Sequence, residues 1–221
     1  KDAVNYWLET VPKMMNKKFL FQEADKNKIK SASIEPIFIF GIPRSGTTLV
    51  ETMITSVEEK IYNAGENFIL QKALQNSQLD KKIYESEQSI TVDLNFLRKL
   101  VIDSYMKQFS VQSIKFKFID RTMTNFFFSE ILLEVFPNAK IINCKRDNFH
   151  NLIAIYQQCL NNLPWSHKIK DIKKYISIYN HKLKNLEKKY SKNILNVELK
   201  KLTELPEDTS KEIMSFCKLN W

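Results

Sequence analysis

The stretch Pro36-Ile37-Phe38-Ile39-Phe40-Gly41-Ile42-Pro43-Arg44-Ser45-Gly46-Thr47-Thr48-Leu49-Val50-Glu51 decides the fold. Its first five residues form a wholly apolar run that stops at a glycine, the pattern of a strand buried on both faces of a parallel sheet. Thr47 through Val57 has helical character, so the glycine loop lies between a strand and a helix. Gly41 to Thr48 also has the spacing of a P-loop. In such a loop, turned backbone N–H groups and the following helix N-terminus make a nest for an anion.

The chain of 221 residues has only three glycines, where average usage of about 7% would give roughly 15. Gly41 and Gly46 bracket the loop, and Gly65 precedes Glu66 in Ala64-Gly65-Glu66-Asn67. Glycine kept this scarce marks backbone with φ > 0 or close approach to a ligand. Four arginines stand among 34 basic residues, at Arg44, Arg98, Arg121 and Arg146. Arg44, Arg121 and Arg146 each follow a predicted strand, whereas Arg98 falls on an amphipathic helix and reads as solvated.

A loop built for a nucleoside triphosphate carries Lys at position 47, to reach the β- and γ-phosphates, and a hydroxyl at 48 for Mg²⁺. Position 47 is Thr here, which argues against ATP or GTP hydrolysis. Arg44 instead offers a fixed fork of donors inside the loop. Such a loop can hold a phosphate ester without a metal.

Hydrophobic content of 43% suffices for a core, and the net charge of +9 favours anionic ligands. Most of that charge reads as a solvated lysine surface, and no nucleic-acid motif is visible. Three separated cysteines and three histidines give neither a disulfide framework nor metal-ligand spacing, so no metal is expected. No apolar stretch is long enough for a membrane span, the N-terminus has no signal-peptide pattern, and a reducing, cytoplasmic setting is expected. Upstream sequence is expected as well, since the chain lacks an initiator Met.

Along the chain, helical spacing over residues 4–22 is followed by a polar linker, so 1–35 read as an N-terminal helix and linker ahead of a domain over 36–221. Helices are predicted over 66–79, 91–109, 125–135, 149–161, 168–190 and 208–218, and further strands over 114–119, 140–144 and 194–198. Strands separated by helices predict an α/β fold, with a central parallel sheet flanked by helices on both faces. Ligands of such sheets sit beyond the carboxyl ends of the strands, where the three arginines would gather. Met14-Met15 and Phe126-Phe127-Phe128 read as core.

The loop closely resembles the 5′-phosphosulfate loop of sulfotransferases, above all the bacterial ones that follow tetratricopeptide repeats and are similar to tyrosylprotein sulfotransferases. Three further segments are similar: Ala64-Gly65-Glu66, with the family's base at the Glu; Asp120-Arg121-Thr122-Met123-Thr124-Asn125-Phe126, where Arg121 replaces a Lys that contacts the donor; and Phe136 to Asp147, where Arg146 matches an Arg on the 3′-phosphate. The resemblance runs from about Pro36 to Trp221. It implies 3′-phosphoadenosine 5′-phosphosulfate (PAPS) as co-substrate, no metal, a P-loop-like fold related to nucleotide kinases, and an upstream tetratricopeptide-repeat region. The acceptor class, small molecule, saccharide or peptide, stays open.

On this resemblance Pro43, Arg44, Ser45, Gly46, Thr47, Thr48 and Arg146 bind the donor, Arg44 and Arg121 stabilise charge during transfer, and Glu66 takes the acceptor proton. A carboxylate of ordinary pKa, about 4.3, is a weak base at pH 7, so burial would have to strengthen it. His150, close after Arg146, is a weaker candidate for the base. Asp120 and Asn125 are expected to fix local backbone. Two departures from the pattern stand out. Ala154 occupies a position where the family has a phosphate-binding Ser, and the chain stops at Trp221, before a segment that completes the 3′-phosphate and acceptor sites, so the domain is expected to be incomplete at its C-terminus. The alternative is a non-catalytic nucleotide-binding or interaction module derived from the family.

Overall fold

The structure, a computed structural model, describes residues 2–22, 34–58, 60–85, 89–112 and 116–220. The strands are β1 (Lys18–Gln22), β2 (Glu35–Gly41), β3 (Tyr62–Asn63), β4 (Ser89–Asp93), β5 (Lys117–Asp120), β6 (Lys140–Lys145) and β7 (Ile194–Glu198). The α-helices are α1 (Asp2–Asn5), α2 (Val11–Met15), α3 (Thr47–Val57), α4 (Ile69–Asn76), α5 (Leu79–Glu85), α6 (Leu94–Phe109), α7 (Ser129–Val135), α8 (Asn148–Gln158), α9 (Ile169–Tyr190), α10 (Leu199–Glu204) and α11 (Pro206–Phe216).

Five strands form a wholly parallel sheet in the order β3-β5-β2-β6-β7. The apolar run that opens the decisive stretch is its central strand, β2. Successive side chains of a strand point to opposite faces, so β2 serves two layers. Phe38 and Phe40 pack with buried residues of α4, α6, α7, α8 and α9, and Ile37 and Ile39 pack with those of α3, α10 and α11. The α/β architecture with helices on both faces is therefore as expected. No helix of the described residues is long and apolar enough to cross a membrane.

Several boundaries differ from the sequence expectation. Residues 4–22 are not one helix. Pro12 has no N–H to give to Leu8; the Val11 N–H reaches back to Tyr6, forming a π turn over Tyr6–Thr10. The last five residues are β1, which pairs in parallel with β4 to make a separate two-stranded sheet, Lys18 opposite Ser89 and Gln22 opposite Asp93. Their alternating exposure is that of a strand with one covered face. The helix expected over 91–109 starts only at Leu94, because the Asp93 side chain accepts the Phe96 N–H and caps it. The helix expected from 66 starts at Ile69 for a similar reason, Asn67 Oδ1 accepting the Ile69 N–H at 2.8 Å. It stops at Asn76, and Gln78, with φ of 55°, separates it from α5. Of the linker expected over 23–35, residues 23–33 lie outside the described residues and Glu35 already belongs to β2; the start of the strand expected at 114 also lies outside them.

Arg98 is a correction to the expected solvated side chain. It is buried, and its Nε and Nη2 donate to the carbonyls of Val135 and Glu134 at 3.1 and 2.8 Å. Those carbonyls end α7, where a cation is favoured.

Candidate active site

The carboxyl ends of β2, β5 and β6 carry Arg44, Arg121 and Arg146 on three adjacent strands of the parallel sheet. Such an edge is where ligands of this architecture bind. Around Arg44 the loop is tightly made. A Cβ on Gly41 would lie 2.3 Å from Ser45 Oγ and 3.1 Å from the Cys144 carbonyl, so a side chain there would fill the space into which the loop folds. Gly46 has φ of 98° and lies against Leu199, the first residue of α10. Arg44 itself has φ of 70°, a left-handed conformation that costs a non-glycine residue about 1–2 kcal/mol. Strain of this kind is retained where a loop's shape is used.

Gly46 stands at the N-cap of α3, and no side chain caps that helix. Its positive end is therefore flanked by Thr47, half-buried, and Thr48 and Arg44, both exposed. Ser45 is turned under the loop. It is buried, its N–H donates to the Ile42 carbonyl at 3.1 Å, and its Oγ has no hydrogen-bond partner among the described residues. Two residues brace the loop from the β6 side. Arg146 Nη1 donates to the Arg44 carbonyl at 3.2 Å, and the buried Asn151 donates through Nδ2 to the Pro43 carbonyl at 2.8 Å. The half-buried Ala154 lies one turn further along α8.

Arg146 also borders a cleft of about 680 Å³, lined with it by Lys145, His150, Glu198, Lys200 and Thr203. Asp147 caps α8 by accepting the N–H groups of Phe149 and His150. The His150 bond is the main reason its carboxyl stays below the usual range. The His150 ring is exposed and sits 3.1 Å from the Asp147 carboxylate.

The second half of the site joins segments far apart in sequence. The Arg121 N–H donates to the Gly65 carbonyl at 2.9 Å, and the Ala64 N–H to the Ile119 carbonyl at 2.9 Å. Thr122 Oγ1 accepts the Asn67 N–H and donates to the Asn67 carbonyl. Beneath them lies Asp120, fully buried, which accepts from the Thr122 N–H, Asn67 Nδ2 and the Tyr105 hydroxyl. Asp120 thus fixes backbone, as expected. Burial and the Asp120 charge together push the Tyr105 phenol well up, so it stays a donor.

This lacing brings Arg121 and Glu66 together, with Arg121 Nη1 donating to Glu66 Oε1 at 2.5 Å. Arg121 Nε donates to Glu51 Oε2 at 2.7 Å. Burial acts to lower the Arg121 pKa, but the hydrogen bonds and charges of Glu51 and Glu66 outweigh it and raise the pKa above its ordinary value. The guanidinium is a fixed cation. Glu51 carries no signal in the sequence, where it reads as one more carboxylate on a helix; only its burial on α3 reveals it. The Glu66 side chain is 65% exposed, so the burial that the sequence asks of a base is not supplied by the protein alone. Among the described residues no His/Cys/Asp/Glu group could hold a metal ion.

Comparisons with known proteins agree with this fold. The chain is 29% identical over 201 residues to an uncharacterized protein of Aquifex aeolicus, an alignment covering 86% of this chain and 26% of that protein. The chain thus spans about a quarter of that relative's length. Its fold is similar to the sulfotransferase domain of the Synechococcus PCC 7002 olefin synthase, with a TM-score of 0.60 and 17% identity over 91% of this chain and 78% of that one. It is also similar to the mouse sulfotransferase SULT7A1, solved in complex with PAP, with a TM-score of 0.52 and 14% identity over 85% of this chain and 60% of that one. Residues 36–221 match the profile of the sulfotransferase family, and the chain belongs to that family.

Proposed function

We propose that the protein transfers a sulfuryl group from PAPS to a hydroxyl or amine of an acceptor. The observation that carries the reading is the 2.5 Å hydrogen bond between Arg121 and Glu66. A fixed cation suited to a phosphosulfate and a carboxylate suited to a proton meet although they lie 55 residues apart in the chain, and Glu51 ties the cation to α3, the helix that the glycine loop opens. Family membership supports sulfuryl transfer in general, and a neighbour of the same fold was solved with PAP.

In this reading the 5′-phosphosulfate lies at the N-terminus of α3, held by backbone N–H groups and the hydroxyls of Thr47 and Thr48. Arg44 and Arg121 neutralise charge on the sulfuryl oxygens and on the bridging oxygen as it leaves. Arg146 faces the 3′-phosphate, and Lys145 and Lys200 of its cleft stand in for the hydroxyl that Ala154 lacks. Glu66 accepts the proton of the acceptor as the acceptor oxygen or nitrogen bonds to sulfur. The bond from sulfur to the bridging oxygen breaks, and its electron pair stays on the 5′-phosphate of the departing 3′-phosphoadenosine 5′-phosphate (PAP). Because Arg remains protonated, Arg121 stabilises that oxygen by charge and hydrogen bonding, without giving up a proton. Donor and acceptor seated over Glu66 supply the cover that the protein alone does not. Turnover of PAPS that is lost in Glu66→Gln while PAP still binds is the expected result. Turnover unchanged in that variant removes Glu66 from the reaction.

A further inference from the structure

Beside the candidate site lies a second cavity, of about 360 Å³, that the mechanism above leaves unused. One wall is N-terminal: Trp7, Val11 and Met14, from the π turn and α2. The rest of the lining includes Phe68 and Leu74 of the α4 region and Phe127. Trp7 and Phe127 close one side, with ring centroids 5.6 Å apart. The polar groups are few: the Tyr6 phenol, Gln71, Gln75, Asp80 and Thr124. Phe68 is 63% exposed, so its ring is accessible to a molecule entering the cavity.

The cavity is close to the reacting groups. Phe68 follows Glu66 by two residues and Thr124 follows Arg121 by three. At the maximum reach of an extended chain, the Cα atoms of Glu66 and Phe68 are within about 7 Å and those of Arg121 and Thr124 within about 11 Å. Neither Glu66 nor Arg121 lines the cavity, but a molecule lodged between Trp7 and Phe68 lies against the segment that carries Glu66. The volume lies at the low end of small-molecule sites, about 300–1,000 Å³, and a mainly apolar lining with a few polar groups is how such sites are built.

We infer that this cavity seats the apolar body of the acceptor, an uncharged ring-bearing or hydrocarbon compound whose hydroxyl projects towards Glu66. This rests on the sulfotransferase reading and narrows its open acceptor class. An anionic body is disfavoured by the carboxylate of Asp80, and a saccharide would leave its hydroxyls against Trp7, Val11 and Phe127 without partners. Residues 6–14 lie ahead of the residues matched by the family profile, so the selective wall belongs to this chain's own N-terminal segment.

The test is titration of the full chain with 2-naphthol and, in parallel, N-acetylglucosamine, read by quenching of tryptophan fluorescence and by calorimetry, with PAP binding measured on the same samples. Naphthol binding is expected, weakened at least tenfold in both Phe68→Ala and Gln71→Trp, with PAP affinity within twofold of the parent. In Trp7→Phe the quenching should drop while calorimetric binding persists. Absence of naphthol binding, preference for the saccharide, or naphthol affinity unchanged from the parent in either variant overturns the inference. Loss of PAP binding alone counts against the sulfotransferase reading and leaves the naphthol result to judge the cavity.

Discussion

Arg121 is held by Glu51 from below, Nε to Oε2 at 2.7 Å, so its other nitrogens face the site. The Glu51 side chain is 9% exposed and that of Arg121 19%, so the pair is poorly screened by water. In the proposed reaction Glu51 would aim the guanidinium at the leaving oxygen, and misplacing a positioned group by about 1 Å can cost on the order of 10²-fold in rate. Glu51→Gln should therefore lower kcat for PAPS turnover by roughly 10–10²-fold while changing PAP affinity less than threefold. Equal kcat would remove the positioning role.

The three glycines should differ in their tolerance of alanine. Gly41→Ala places a Cβ against Ser45 Oγ and the Cys144 backbone carbonyl, a clash that moves main chain and costs about 1–3 kcal/mol. Gly46→Ala adds a left-handed penalty of about 1–2 kcal/mol to contact with the movable end of Leu199. Gly65, with φ of 58° and nothing within 4 Å of a Cβ, pays only the conformational penalty. Gly65→Asn should recover part of it, since Asn tolerates this region. Urea denaturation of the four variants checks the order.

Arg98→Ala removes the donors to the last carbonyls of α7. Hydrogen bonds from a charged group contribute about 1.5–3 kcal/mol, and a loss of that size in unfolding free energy is expected. An effect below about 0.5 kcal/mol would be the value of an ordinary surface residue and would contradict the buried placement.

Stability should fall in acid partly through Glu130. Burial alone raises its carboxyl, but the charges and hydrogen bonds of Lys182 and Lys189 prevail and hold it below its ordinary value. A depressed folded-state pKa gives stability that is complete above the unfolded value, about 4.3, and is lost as pH falls from there through the folded value. Glu130→Gln should therefore lower the urea midpoint clearly at pH 7 and much less at pH 3. An equal loss at both would place the effect in packing instead.

Four strands of the central sheet were legible, from short apolar-rich runs such as those ending near Gly41, Lys145 and Glu198; the two-residue β3 was too short to leave a pattern. The loop was legible from its scarce glycines. β1 was not, because Phe19 falls where the helical spacing of the preceding segment also wants an apolar residue, and five residues are too few to separate a period of two from 3.6. Glu51 and Arg98 were hidden for one reason. A charge on a helix reads as solvent-facing unless its partner is known, and those partners lie 70 and 37 residues away. The nearness of Glu66 and Arg121 followed from motifs, but the exposure of Glu66 depends on how the Gly65 turn projects from β3, which local sequence does not encode.

The decisive measurement is isothermal titration of the longest natural chain with PAP in the absence of divalent metal. A loop with Thr47 in place of Lys, and with Arg44 and Arg146 on either side, should bind PAP with a dissociation constant of about 1–10 μM, or roughly −7 to −8 kcal/mol. Arg146→Ala should weaken binding at least tenfold. No heat with PAP, together with Mg²⁺-dependent binding and turnover of ATP, would contradict a phosphosulfate site.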